Sequence, residues 1–339
     1  MSGTVTLTQA ELEQIITAAF VASNTSEANA RSVAAALTQA EVDGQKGHGL
    51  SRVPSYAAQA KSGKVDGFAV PEVRQTRPGS LIVDAKHGFA YPALDAAIAR
   101  LPELARSCGV AAAGITRSHH FGVAGRAVER LAEQGMVALV FGNTPQAMAA
   151  WGGRRPIFGT NPIAFAAPQR GRPPVVVDLA LSQVARGKIM VAAQKGEPIP
   201  SGWALDEHGE PTTDAKAALK GTLVPLGGAK GAALALMVEV LAVALTGANF
   251  AFEATSFFDD KGPPPGVGQL LLAIDPAAFA GSDVFLDRLA VLASAIEQDP
   301  GARLPGTRRL ALREAAARDG VTVDAKLLDE VRRLGAGAG

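Results

Sequence analysis

The residues best suited to chemistry lie in the stretch Gly44-Gln45-Lys46-Gly47-His48-Gly49-Leu50-Ser51-Arg52-Val53-Pro54, where His48 and Arg52 stand four positions apart. An imidazole with its ordinary pKa of about 6.5 gives and recovers a proton at neutral pH. A guanidinium holds a carboxylate through two parallel hydrogen bonds. Together they are two of the groups needed to reduce a carbonyl or imine beside a carboxylate; the hydride has to come from elsewhere. The plainer alternative is a surface turn with an ordinary His and Arg. Spacing i, i+4 puts both on one face only in a helix, and Gly47, Gly49 and Pro54 argue against a regular one.

Other segments offer places for a cofactor. Ser118-His119-His120-Phe121-Gly122-Val123-Ala124-Gly125 follows a strand-like run and opens a helix, so amides around Phe121, Gly122 and Val123 could hold an anion, with His120 aimed at it. The pattern is not the G-x-G-x-x-G fingerprint, which argues against a standard Rossmann site. No further His or carboxylate stands at ligand spacing from the His pair, so no metal is expected. Asp178 ends a hydrophobic strand and reads equally as a ligand contact or a helix cap. Gly227-Gly228-Ala229-Lys230-Gly231 lacks the spacer and the Ser or Thr of a P-loop, yet a Lys in an amide-rich helix start suits a phosphate or ribose. Arg303, Arg308 and Arg309 flank Pro305-Gly306, either as a solvated basic loop or as a clamp for a cofactor phosphate. Asn143-Thr144-Pro145 and Gly159-Thr160-Asn161-Pro162 read as turns.

The elements that must position these groups follow from patterning. Thr8-Gln9-Ala10-Glu11 fits a capping box opening a helix to about Ala22, Ser26 caps a second that Gly44 stops, and Pro54 starts a third that ends at Gly63. From Phe68 onward short β-rich runs alternate with helices: strands at 80–84, 110–116, 136–141, 163–167, 174–179 and 270–274, with helices at 91–108 and 123–134. This is α/β texture with a mixed or parallel sheet. Residues 194–224 read as long surface loops, 232–245 as a helix apolar on nearly every face and therefore buried, and 283–298 and 308–333 as helices again.

Composition narrows the class. The chain has 339 residues, 47% hydrophobic and 19% charged, with a net charge of +1 and no basic stripe, which argues against nucleic-acid binding and membrane anchoring. No secretory signal pattern opens the chain and no apolar run is long enough to span a bilayer, so a cytoplasmic protein is expected. The single cysteine, Cys108, excludes an intrachain disulfide and reads as a small buried residue before a strand. Partners are expected to be small molecules or a second copy of the chain.

Several ordered segments resemble the type 2 malate/L-lactate dehydrogenase family of NAD(P)-dependent oxidoreductases: GHGLSRVPSY from Gly47, SHHFGVAG from Ser118, FGTNPIAFAAP from Phe158, VVDLALSQVARGKI from Val176, GGAKGAALALMVE from Gly227 and LPGTRR from Leu304. The resemblance implies an α/β, non-Rossmann fold peculiar to the family, with a mixed, sheet-rich NAD(P)-binding domain at 68–299 and a helical substrate and dimer domain built from 1–67 and 300–339. It implies a homodimer. It makes His48 the proton donor or acceptor and Arg52 the carboxylate clamp, and puts His120 and Thr160 near the substrate. Asp178, Leu179, Ala180, Lys230, Pro305 and Gly306 would line NAD or NADP, and the arginines Arg303 and Arg309 lean towards the 2′-phosphate of NADP. The implied substrate is a small carboxylate: a 2-oxo or 2-hydroxy acid of the malate, lactate or sulfolactate type, or alternatively a cyclic 2-imino acid such as pyrroline- or piperideine-2-carboxylate. A non-catalytic ligand binder on the same fold is the remote alternative. The chain departs from family habit at Gly47, where many members place Ser, and at Lys188, where imine-reducing members place a carboxylate.

Overall fold

The computed structural model describes residues 3–337. Strand β1 (Thr4–Leu7) leads into α1 (Gln9–Val21), whose N-cap Thr8 and Glu11 close the expected capping box, and Ser26 caps α2 (Glu27–Val42). Two short 3-10 turns, Lys46–His48 and Leu50–Arg52, follow, then α3 (Val53–Ser62) with Pro54 in its first turn and Gly63 left-handed at its end. The tail is not one helical run. Helix α10 (Thr307–Asp319) stops at Gly320, β14 (Val321–Asp324) intervenes, and α11 (Ala325–Gly335) begins on the Asp324 cap. The β-branched pair Val321 and Val323 explains the interruption: both are buried, and β14 pairs antiparallel with β1. Leu12, Ile16, Phe20, Leu37, Tyr56, Leu328 and Val331 fill the core these terminal elements share, joined by Phe89 and Tyr91 from the middle of the chain.

The centre is a seven-stranded sheet in the order β2-β3-β4-β13-β5-β8-β9. Its strands are β2 (Glu72–Arg77), β3 (Ser80–Asp84), β4 (Val110–Ser118), β5 (Val137–Gly142), β8 (Ile163–Gln169), β9 (Arg172–Leu179) and β13 (Val267–Ile274). Only β3 and β4, joined through α4 (Ala90–Cys108), run parallel; the other neighbours are antiparallel, so the sheet is mixed. Period-two patterning divides these strands between two cores. Ala113, Ile115, Ala138, Val140 and Leu271 pack under α4 and α5 (Ala124–Ala132), while Leu139, Phe141, Leu270 and Leu272 face the opposite layer.

That opposite layer corrects two expectations. After α6 (Arg186–Lys195), residues 194–224, expected as loops, include β10 (Ala204–Leu205), β11 (Pro211–Thr212), α7 (Ala215–Lys220) and β12 (Thr222–Leu223). With β6 (Met148–Ala149) and β7 (Pro156–Phe158) these strands make a second, five-stranded sheet. Strands of two or three residues carry no readable period, so Gly and Pro dominate the pattern there. Helix α8 (Ala229–Glu239), continued by a π-helical turn at Val240–Ala244, is not buried all round. The layer covers one stripe through Ala235, Val238 and Ala242, and leaves Leu234, Leu236, Met237, Val240 and Leu245 exposed. Cys108 is exposed at the end of α4, because the strand it precedes begins beyond it. The last middle element is α9 (Ser282–Glu297), with Ala293 its buried residue. Among the described residues no helix is long and apolar enough to cross a membrane.

Candidate active site

The two 3-10 turns set His48 and Arg52, and Glu41 of α2 fixes the joint between them. Its buried carboxylate accepts the Leu50 amide at 2.7 Å, and burial raises its pKa. Gly49 lies against that carboxylate so closely that a Cβ there would run into it. Arg52 donates Nε to the Gly47 carbonyl at 2.7 Å, and its guanidinium lies 4.7 Å over the Phe258 ring. No carboxylate pairs with it among the described residues, so its outer nitrogens remain for a ligand. Nδ1 of His48 is buried without a hydrogen-bond partner, and the ring stacks on His120 at 5.3 Å between centroids. Packing, not a hydroxyl at position 47, therefore orients His48. Burial first and the Arg52 charge second push its imidazole down to about 4, so it is neutral at pH 7.

Behind His48 lies a buried aromatic and imidazole cluster. Tyr56 of α3 bonds through its hydroxyl to His120 Nδ1. Burial holds the Tyr56 pKa well above its usual value, so the phenol stays protonated. Burial lowers the His120 pKa well below its usual value, so this ring is neutral as well. His119 Nε2 bonds to Gln59 Oε1 at 2.9 Å, and burial pushes His119 down to about 3. Gln59 Nε2 in turn donates to the Phe257 carbonyl at 2.9 Å. Lys64, almost fully buried, donates to the carbonyls of Ser256 and Asp259 at 2.7 and 2.9 Å and to the Asp259 carboxylate at 3.3 Å. These bonds tie residues 256–259 to α3 and its C-terminal turn.

The two Asn-containing turns are more than connections. The Thr160 amide donates to Thr144 Oγ1 at 2.9 Å, and a Cβ on Gly159 would overlap the Thr144 carbonyl. Asn143 Oδ1 accepts the Gly268 amide at 2.9 Å, and Asn161 Nδ2 donates to Glu239 Oε1 at 2.9 Å. The buried amides lock Thr144 and Thr160 side by side.

All these parts meet at a cleft of about 570 Å³ whose lining includes His48, Arg52, His120, Thr160 and Ala180. The other expected residues sit elsewhere. Phe121 is buried, Gly122 has a left-handed backbone, and Val123 caps α5. Asp178 Oδ2 accepts the Gly125 amide at 2.7 Å, so this carboxylate is a helix cap, while Leu179 beside it is half exposed. Gly306 lies near the Val176 carbonyl and the Arg309 guanidinium. Asp178, Gly306 and Arg309 thus gather at the start of α5, next along β9 from Ala180. Arg309 is not a free clamp. It bonds to Glu129 at 3.2 Å, within a cluster in which Arg313 bridges Glu129 and Asp43 at 2.7 and 2.6 Å. Arg303, Pro305 and Lys230 are exposed, and none lines the cleft. Lys188 is also exposed, and its amide donates to the Ala185 carbonyl at 3.0 Å.

Sequence reasoning missed Glu41, Tyr56, Gln59 and Lys64, each of which acts through a partner 9 to 198 positions away. It also missed Arg186, the first residue of α6, which lines the cleft. No local pattern marks such residues; the fold brings them to the site.

The model of the malate/L-lactate dehydrogenase family matches residues 7–332. A (2R)-3-sulfolactate dehydrogenase (NADP(+)) of Chromohalobacter salexigens is 52% identical over 95% of this chain and 96% of its own length. A Δ1-pyrroline-2-carboxylate/Δ1-piperideine-2-carboxylate reductase of Pseudomonas putida is 43% identical, covering 96% of this chain and 95% of its own. The crystal structure of Δ1-piperideine-2-carboxylate reductase from Pseudomonas syringae superposes with a TM-score of 0.92 at 40% identity, over 97% of this chain and 99% of that one. The chain belongs to the malate/L-lactate dehydrogenase family and is an NAD(P)-dependent oxidoreductase.

Proposed function

We propose that the protein interconverts a small 2-oxo acid and its 2-hydroxy acid, with NADP as the hydride carrier. The observation that carries this is the meeting of His48, Arg52, His120 and Thr160 in one cleft, with Arg52 unpaired by any carboxylate among the described residues. Arg52 holds the substrate carboxylate through its free nitrogens. His48 exchanges a proton with the oxygen on C2, and His120, held in place by Tyr56, stands beside it in the cleft wall. Thr160, held by Thr144, adds a hydroxyl at the same wall.

The chain offers a fitting place for the cofactor. Ala180 lines the cleft, and from it β9 leads back to Asp178 at the start of α5, beside Gly306 and its neighbour Arg309. The carrier supplies hydride to C2 when bound; the domain at 68–299 would hold it, and the terminal segments 1–67 and 300–339 would hold substrate. The name of the 52% identical relative supports NADP. Reduction of a cyclic 2-imino acid is the second reading, favoured by the 43% identical relative, and would use the same Arg52 and His48.

His48→Ala should lower turnover about 100-fold or more. The test follows NADPH absorbance with pyruvate, oxaloacetate, sulfopyruvate and Δ1-pyrroline-2-carboxylate; turnover near wild type would refute the role of His48. The exposed apolar stripe of α8 supports assembly as a homodimer. Sedimentation of a monomer at micromolar concentration would exclude it.

A further inference from the structure

The cleft contains a second guanidinium that the mechanism above does not use. Arg186 opens α6, whose Ile189 is packed in the layer beneath the small sheet, whereas Arg52 extends from the turn whose Leu50 and Val53 belong to the terminal core. The two arginines therefore reach one cleft from different parts of the fold. Arg186 donates Nη2 to the Leu219 carbonyl at 3.0 Å. That uses one of its five N–H donors. No acidic side chain accompanies it: burial alone perturbs the group, lowering its pKa, and no nearby charge compensates. A part-buried cation without a counter-ion is costly, and an anion entering the cleft would relieve that cost. None of the described residues lining the cleft is Asp or Glu, so the anion must come with the ligand.

We propose that Arg186 is the specificity-determining residue of the cleft, binding a second anionic group, a sulfonate or carboxylate on C3 of the 2-oxo acid, while Arg52 holds the C1 carboxylate. This rests on the oxidoreductase reading above and sharpens its substrate to a dianion. It also separates the two readings. A cyclic 2-imino acid presents methylene groups beyond C2, and those leave the Arg186 charge unpaired. A 2-oxo acid with an anion on C3 satisfies both arginines at once.

The test compares wild type, Arg186→Gln and Arg186→Lys. It measures kcat/KM with sulfopyruvate, oxaloacetate, pyruvate and Δ1-pyrroline-2-carboxylate at saturating NADPH, and NADPH affinity separately by fluorescence. Wild type should prefer the dianions. Arg186→Gln should lower the ratio of kcat/KM for the preferred dianion to that for pyruvate by about 100-fold. Arg186→Lys, which keeps the charge but not the fork, should retain part of the preference. The sulfopyruvate and oxaloacetate arms tell sulfonate from carboxylate. A ratio unchanged in both variants would overturn the assignment, and a weakened NADPH affinity with the ratio unchanged would hand Arg186 to the cofactor phosphates instead. Wild type turning over pyruvate or the imine as well as the dianions would overturn it while leaving the oxidoreductase reading intact. Failure of wild type with all four substrates would remove that reading and the assignment with it.

Discussion

The protonation of His48 is the point at which the geometry makes its sharpest quantitative claim. Its pKa of about 4 against an ordinary value of about 6.5 corresponds to about 3 kcal/mol in favour of the neutral ring. At pH 7 about one free enzyme molecule in a thousand would carry the proton. The ring is thus ready to accept a proton from a hydroxy acid, but must be charged before it can donate one to a 2-oxo acid. Burial is the larger cause and Arg52 the smaller. Arg52→Gln removes the smaller one, so it should raise the His48 pKa by about one pH unit or less, not restore it to 6.5. Oxamate, whose carboxylate would neutralise Arg52, should raise it in wild type and leave the variant unmoved. The assay is a titration of the histidine Cε1–H resonances, with His48→Gln giving the assignment. A wild-type His48 titrating near 6.5, or an Arg52→Gln ring still at 4, would refute this account of the electrostatics.

Proton linkage extends the same argument to stability. Burial depresses His48, His119 and His120 together, so between their unfolded value of about 6.5 and their folded values the unfolded chain binds more protons. Their contribution to stability is full above about pH 6.5 and is lost as the pH falls. The slope should approach about 4 kcal/mol per pH unit, three protons at ~1.4 each, between about pH 5.5 and 4. Urea unfolding at stepped pH measures it, and His119→Asn should flatten it by about a third; a flat profile from pH 6.5 to 4 would contradict the burial of these rings. Gly49→Ala drives a methyl group into the Glu41 carboxylate, so it should cost about 1–3 kcal/mol of stability and lower kcat/KM by displacing His48 relative to Arg52. An unchanged melting temperature and unchanged kinetics would show that Glu41 does not fix the turn.

Local signals carried much of this structure into the sequence. The Thr8–Glu11 capping box, the Ser26 cap, Gly63 and the alternating strands of the central sheet are decided by neighbours within a few residues, and the fold realises them. His48 and Arg52 were legible for the same reason, although paired 3-10 turns rather than a helix bring them together. The failures have a common physical origin. The small sheet is built from strands too short to show a period, and β14 is fixed by pairing with β1, more than 300 residues away. Helix α8 looked buried because hydrophobicity reports what a face avoids, not whether this chain covers it. Glu41, Tyr56, Lys64 and Arg186 owe their roles to distant partners, and a side chain's partner is written nowhere near it.

The charge arrangement of the cleft joins these observations into one mechanism of control. Four acidic groups near the site are committed: Glu41 to the Leu50 amide, Asp178 to the Gly125 amide, Glu239 to Asn161 and Asp259 to Lys64. Arg52 and Arg186 are left facing the cleft without carboxylates among the described residues, and Arg52 stands beside a ring that it helps to keep neutral. An entering carboxylate cancels the Arg52 charge and thereby makes protonation of His48 easier. Substrate binding and proton uptake are then one linked event, since whatever raises the His48 pKa on binding must by linkage make binding tighter as the pH falls. The affinity for a 2-oxo acid should therefore increase from pH 7 towards pH 5, and that of the hydroxy acid, which presents its own proton to the neutral ring, should not.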